Sequence, residues 1–132
     1  MTVDAAAINE RFKGTLSDLL GIRFVEVTPE RVVAEVTYRE DLTTIGGALH
    51  GGTLMAFADT IGAAGTVVNL APGQNTATLE SKTNFFAAAF KGVVRAESTP
   101  LHKGKRTHVW QTRVTDEAGK LLSLTIQTQV IL

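Results

Sequence analysis

Apolar positions run almost unbroken from Thr53 to Leu70 (TLMAFADTIGAAGTVVNL), with Asp59 the one ionisable side chain among them. Leu54, Met55, Phe57, Ala58, Ile61, Gly62 and Gly65 surround the helical circumference instead of forming one stripe, the pattern of a helix buried on all sides. The run predicts a central helix over 51–70, ending before Pro72-Gly73. Its roughly 18 apolar-rich residues would span about 27 Å at ~1.5 Å per residue, enough to cross a small domain. Length alone suits a membrane span as well. A mid-span carboxylate would cost on the order of 3 kcal/mol there, and neither flank carries the basic cluster or aromatic belt that anchors one. A buried helix is the better reading, and the carboxylate at its middle is the residue to explain.

The flanking segments alternate with different periods. Residues 1–20 read as an N-terminal amphipathic helix, with Ile8, Phe12, Leu16, Leu19 and Leu20 on one side and a break near Gly14. Strand patterns follow over Ile22–Thr28 and Arg31–Tyr38, joined at Pro29-Glu30, with Val32, Ala34, Val36 and Tyr38 on one face. After Pro72-Gly73 four more strands are expected. The first has Ala77, Leu79, Ser81 and Thr83 opposite Thr78, Glu80, Lys82 and Asn84. Next come Val93–Leu101 and Thr107–Thr115, and the last places Leu122, Leu124, Ile126, Thr128 and Val130 on one side. Short loops between these four predict an antiparallel meander. The class is α+β in one domain over 1–132: about six antiparallel strands wrapped round a long helix. One helix cannot cover six strands and be covered itself. A second copy on its open side is the natural cover, which predicts a two-fold homodimer.

Composition excludes several functions. Thirteen basic residues balance thirteen acidic ones, so no global field argues for nucleic acid or a membrane surface. Cysteine is absent, which removes disulfides and thiolate chemistry. His50, His102 and His108 lack metal-ligand spacing, so no metal is expected, and no phosphate loop, dinucleotide fingerprint or nucleophile elbow occurs. The first residues mix acids with apolar positions and do not read as a secretory signal, so a cytoplasmic location is the default.

His50-Gly51-Gly52 opening an apolar helix, Asp59 nine positions after the His, and the late stretch VRAESTPLHKGKRTHVWQTRVTDEAGK together resemble the hot-dog-fold acyl-CoA thioesterases. The similarity runs over residues 21–132 and is greatest to the phenylacetate-degradation and the 4-hydroxybenzoyl-CoA or dihydroxynaphthoyl-CoA branches. It implies hydrolysis of an acyl- or aroyl-CoA thioester without a cofactor, in a homodimer that assembles further to a homotetramer. It also implies roles by position. The Gly51 N–H would polarise the thioester carbonyl, Asp59 would be general base or nucleophile, and position 44 would assist. The chain departs from the pattern twice: Thr44 stands where the family has an amide, and Ala63 where relatives carry a hydroxyl one turn after the acid. A non-hydrolytic acyl-CoA binder and an enoyl-acyl hydratase or dehydratase are the competing functions on this fold.

The residue types suit that chemistry. Free N–H groups at a helix start, with the positive end of its dipole, can stabilise an oxyanion, and glycines at 51 and 52 admit a substrate close to the backbone. Asp59 can activate water or attack directly. The alternative for Asp59 is a structural hydrogen-bonded carboxylate, and for Gly51-Gly52 a close helix–strand contact. His50 is expected to cap the helix or orient its loop as readily as to move protons. Thr78 is a candidate water-positioning hydroxyl. Phe85, Phe86 and Phe90 are expected in core or interface before acyl pocket. Lys103, Lys105 and Arg106, with Lys82, could meet coenzyme A phosphates or form a solvated turn. Gly51 and Asp59 lie about 12 Å apart along one helix, too far to serve one carbonyl at ~3–3.5 Å. If both act, each site joins Gly51 of one copy to Asp59 of the other.

Overall fold

The computed structural model describes residues 3–132. Six antiparallel strands form one sheet: β1 (Arg23–Thr28), β2 (Arg31–Thr37), β3 (Thr76–Phe85), β4 (Val93–Lys103), β5 (Thr107–Thr115) and β6 (Leu121–Ile131). Their spatial order is β1-β2-β4-β5-β6-β3. Three helices precede or cross the sheet: α1 (Ala5–Arg11), α2 (Leu16–Leu19) and α3 (Gly51–Val67). α3 lies on the inner face of the sheet and touches all six strands. The expected helix over 1–20 divides at Gly14, whose φ of 80° only glycine adopts freely. Its first two positions lie outside the described residues.

Phe57 and Ile61 of α3 are fully buried in one cluster with Phe24, Val27, Val32, Ala34, Val36, Val94 and Ala96, and Ala58 is fully buried beside them in the chain. Each large apolar side chain so buried contributes about 1.5–3 kcal/mol relative to an exposed one. The opposite flank is less covered. Met55 is 38 % and Val67 47 % exposed, and Gly51, Ala56, Asp59, Thr60 and Ala63 are half-buried. The helix is therefore not buried all round; one side is open, as six strands and one helix require.

Four expectations are corrected. Only β4, β5 and β6 form a meander, because β3 crosses to the far edge and pairs with β6. The central helix stops at Val67, three residues early, where the Asn69 side chain donates to the carbonyls of Gly65 and Pro29 and turns the chain. Leu16 and Leu19 are exposed, since α2 is one short turn that buries Ser17 instead. On β6 the apolar side is not the buried one. Ser123, Thr125, Gln127 and Gln129 face α3, while Leu124, Ile126, Thr128 and Val130 lie on the outer face, with Ile126 40 % exposed.

Strand β3 carries a further difference. A bulge at Leu79 shifts its register against β6 between Thr78 and Glu80. Strict alternation would put Thr78 with Glu80 and Lys82. The extra residue instead places it on the inner face with Ser81 and Thr83, opposite Gln129. A one-residue insertion at a sheet edge re-aims side chains in this way.

Candidate active site

Asp59 projects from the open flank of α3, half-buried. Its Oδ1 accepts from the Thr78 hydroxyl at 2.7 Å and from Gln127 Nε2 at 3.0 Å. Gln127 Nε2 also lies 3.2 Å from the Asp59 backbone oxygen, and Gln129 Nε2 donates to Thr78 Oγ1 at 2.6 Å. The polar side of β6 and the bulged end of β3 thus converge on one carboxylate oxygen. Oδ2 receives no hydrogen bond from the described residues. Gly62, one turn after Asp59 begins, is needed here because a Cβ at that position would overlap the Gln127 carboxamide. Gln127 and Gln129 were not among the sequence candidates. Two glutamines at alternate strand positions were the only signal, and Leu124, Ile126 and Val130 outweighed them by pointing to the wrong face.

The other candidates gather at the start of α3. His50 is the N-cap, and its Nδ1 accepts from the Gly52 N–H at 2.7 Å. A ring nitrogen that accepts this bond is unprotonated there. The Gly51 N–H is left without an acceptor among the described residues, at the positive end of the helix dipole. Both glycines are close-approach positions, though not toward strand backbone: a Cβ on Gly51 would come within 3.1 Å of the Phe85 ring, and one on Gly52 within 2.9 Å of the His50 ring. Thr44 sits exposed in the turn before the helix, where its N–H donates to the Ala48 carbonyl. It lies at the Gly51 end, a helix half-length from Asp59. Phe85, Phe86 and Phe90 are 49–59 % exposed, so they are not core.

A cavity of about 470 Å³ opens beside Asp59, between α3 and the N-terminal segment. Ile8, Phe12, Ala63, Val67 and Val68 give it apolar walls, and Thr15, Ser17 and Thr60 add hydroxyls. Asn9 pins α1 over it by bonding both the N–H and the carbonyl of Phe24 on β1. The absence of a longer side chain at Ala63 keeps this space open toward Asp59.

The basic residues separate. Lys103 belongs to β4 and is held by an ion pair to Glu30 and by the oxygens of Pro29 and Asn69 at 3.4 and 3.3 Å. Lys105 and Arg106 are exposed on the β4–β5 turn, near the C-terminal end of α3. Lys82 is exposed on the outer face of β3, across the sheet from Asp59. Buried His108 is pushed below its usual pKa by desolvation, with Lys103 and His102 adding to the effect. Among the described residues no three His, Asp or Glu side chains are grouped to hold a metal ion. No described helix is long and apolar enough to cross a membrane.

The chain that carries this half-buried carboxylate, its cavity and the helix start has counterparts of known fold. Residues 46–123 match the model of the thioesterase superfamily. A 1,4-dihydroxy-2-naphthoyl-CoA hydrolase of Listeria monocytogenes is 31 % identical over 83 % of this chain and 89 % of its own. The enzyme of the same name from Escherichia coli is 31 % identical over 96 % of this chain and 93 % of its own. The crystal structure of a Haemophilus influenzae thioesterase superposes with a TM-score of 0.95 at 25 % identity, covering all of this chain and 92 % of that one. The chain belongs to the thioesterase superfamily: it is a thioester hydrolase of hot-dog fold.

Proposed function

We propose that this protein hydrolyses an acyl- or aroyl-CoA thioester at sites shared by two copies of the chain. The observation that carries the reading is Asp59: a carboxylate on the open flank of the helix, bonded through one oxygen only and lining an apolar cavity. As general base, Asp59 takes a proton from water as its oxygen adds to the carbonyl; the C–S bond breaks, the acid forms, and that proton passes to the departing coenzyme A sulfur. As nucleophile, Asp59 attacks the carbonyl and the C–S bond breaks to give a mixed anhydride and coenzyme A thiolate. Water then cleaves the anhydride, releasing the acid and restoring Asp59, and its proton goes to the thiolate. Gly51 N–H, left without a partner at a helix start, stabilises the oxyanion. His50 and Thr44 support the loop that presents it, and Thr78 orients Asp59. The acyl group occupies the cavity under α1. Gly52 lets the substrate pass, and Lys105 and Arg106 meet coenzyme A phosphates with Lys103 and Lys82 as weaker candidates.

The dimer is supported in two ways. Along α3 the Gly51 N–H and Asp59 stand about 12 Å apart, so one chain cannot bring both to one carbonyl. Meanwhile β3 is a ten-residue edge strand with one side unpaired, and Leu79, Phe85 and Phe86 beside it are exposed. A long apolar edge of this kind is normally covered. Two β3 strands pairing across a two-fold axis would cover it and set the two α3 helices antiparallel, Gly51 of each toward Asp59 of the other. The apolar outer positions around Ile126 favour further assembly to a tetramer. The name shared by the two hydrolase relatives supports an aromatic acyl group.

Benzoyl-, phenylacetyl-, hexanoyl- and crotonyl-CoA with a thiol reagent test the activity. Thiol release that disappears in Asp59→Asn is expected. Tight binding without release would leave an acyl-CoA binder, and hydration of crotonyl-CoA without release a hydratase. Mixing subunits tests the shared site. Gly51→Pro removes the N–H at a first helical position whose backbone admits proline, with the exposed Phe85 ring shifting by a few tenths of an ångström to make room. Each variant alone is expected to be inactive, and the mixture of Gly51→Pro with Asp59→Asn to recover one intact site per heterodimer. No recovery from a mixture shown to exchange subunits would refute the sharing.

A further inference from the structure

We infer that Gln127 is a positioning residue for the hydrolysis: with Thr78 it occupies Oδ1 of Asp59, so that Oδ2 is the oxygen presented to water or to the thioester carbon. This rests on the reading of Asp59 as the reacting carboxylate.

Three independent features of the fold meet at this side chain. First, Gln127 is completely buried on a strand face that packs against an otherwise apolar helix, yet its Oε1 has no hydrogen-bond partner. A buried orphan acceptor is destabilising, and a leucine of similar size would avoid it. Second, the amide orientation is determined by its surroundings. Nε2 faces both Asp59 Oδ1 and the Asp59 backbone oxygen, two acceptors. Turning the amide over would set Oε1 against both of them. Third, the helix gives up a Cβ at Gly62 to admit the carboxamide. Glycine inside a helix is itself unfavourable. Local rules broken together at one point mark a functional site more often than a packing one.

The supporting layer is built the same way. Gln129, also fully buried, donates to Thr78 Oγ1, and its Oε1 lies 3.1 Å from Thr76 Oγ1, whose one proton is shared with the Val130 carbonyl at 2.8 Å. Thr78 has one hydroxyl proton, so with Gln129 donating to its oxygen that proton goes to Asp59. The chain Gln129–Thr78–Asp59 therefore runs in one direction, each group donating to the next. Its effect is to point the Thr78 hydroxyl at Oδ1, where Gln127 Nε2 is the second donor. Both lone-pair directions of Oδ1 that the protein can reach are filled, and reactivity is left to Oδ2, which no described group approaches.

The test is steady-state kinetics on the assembled protein, with whichever of benzoyl-, phenylacetyl- and hexanoyl-CoA is cleaved fastest. Gln127→Met keeps the length and volume of the side chain but donates nothing. Loss of a hydrogen bond to a charged group predicts a fall in kcat of about 10- to 100-fold with KM little changed. Gln129→Met, which removes no bond made directly to the carboxylate, is expected to lose less, and adding Gln127→Met to Asp59→Asn to lose nothing more. Wild-type kcat in Gln127→Met, beside an inactive Asp59→Asn, would overturn the inference and leave the functional reading standing. Full activity in Asp59→Asn would remove both. If Gln127→Met fails to fold, Gln129→Met and Thr78→Val decide: a lowered kcat at unchanged KM in both supports the relay, and unchanged kcat in both sinks it.

Discussion

The two flanks of α3 are held by different physics. On one, Phe57 and Ile61 meet Phe24, Val32, Val36 and Val94 in a dry contact with no polar atom to satisfy. On the other, Asp59 and Gly62 meet Gln127 and Thr78, with Gln129 behind, and three side-chain hydrogen bonds of 2.6–3.0 Å join the half-buried Asp59 and exposed Thr78 to two buried glutamines. Apolar packing is non-directional and tolerates small displacements, so it supplies stability. Hydrogen bonds to a carboxylate are directional, so they set where a charge points. The same helix is thus anchored by one flank and armed by the other.

Substitutions on each flank should therefore fail in different assays. Asp59→Asn is expected to lower thiol release by about 10²- to 10⁴-fold while the urea midpoint stays near wild type. A large drop in midpoint instead would mean that the polar flank carries stability after all. Phe57→Ala should do the reverse, costing about 3–5 kcal/mol in denaturant titration because the site cannot collapse around the lost ring. Its kcat per folded molecule should hold. Gly65→Ala drives a methyl to within 2.6 Å of the Trp110 ring and should cost about 1–3 kcal/mol. Equal stability there would show that the indole has room to shift.

The smallest effect concerns His108. Its folded-state pKa is lowered, so the unfolded chain binds a proton that the folded chain refuses. Stability is complete above the ordinary value of 6.5 and is lost as pH falls from there through the lowered folded value. The decline can be no steeper than about 1.4 kcal/mol per pH unit for one group. Stability curves of wild type and His108→Gln from thermal melts between neutral and mildly acidic pH should diverge as pH falls, with a slope no greater than that limit. Parallel curves would show that Lys103, His102 and burial do not hold the imidazole neutral.

Much of this was legible in the order of residues. An apolar run interrupted by one carboxylate announced α3 and Asp59, glycines after a histidine announced its start, and alternation placed β1, β2 and β5 to within a residue or two. These are properties of period and composition, which neighbours in the chain determine among themselves. What could not be read was which face of β6 turns inward and that β3 leaves its sequence neighbour β4 to pair with β6. Both depend on contacts between residues some fifty positions apart, such as Thr78 with Gln129, and on a single extra residue at Leu79. An alternating strand has two faces of identical period. Only the assembled sheet decides which of them meets the helix, and with it which polar groups reach the charge.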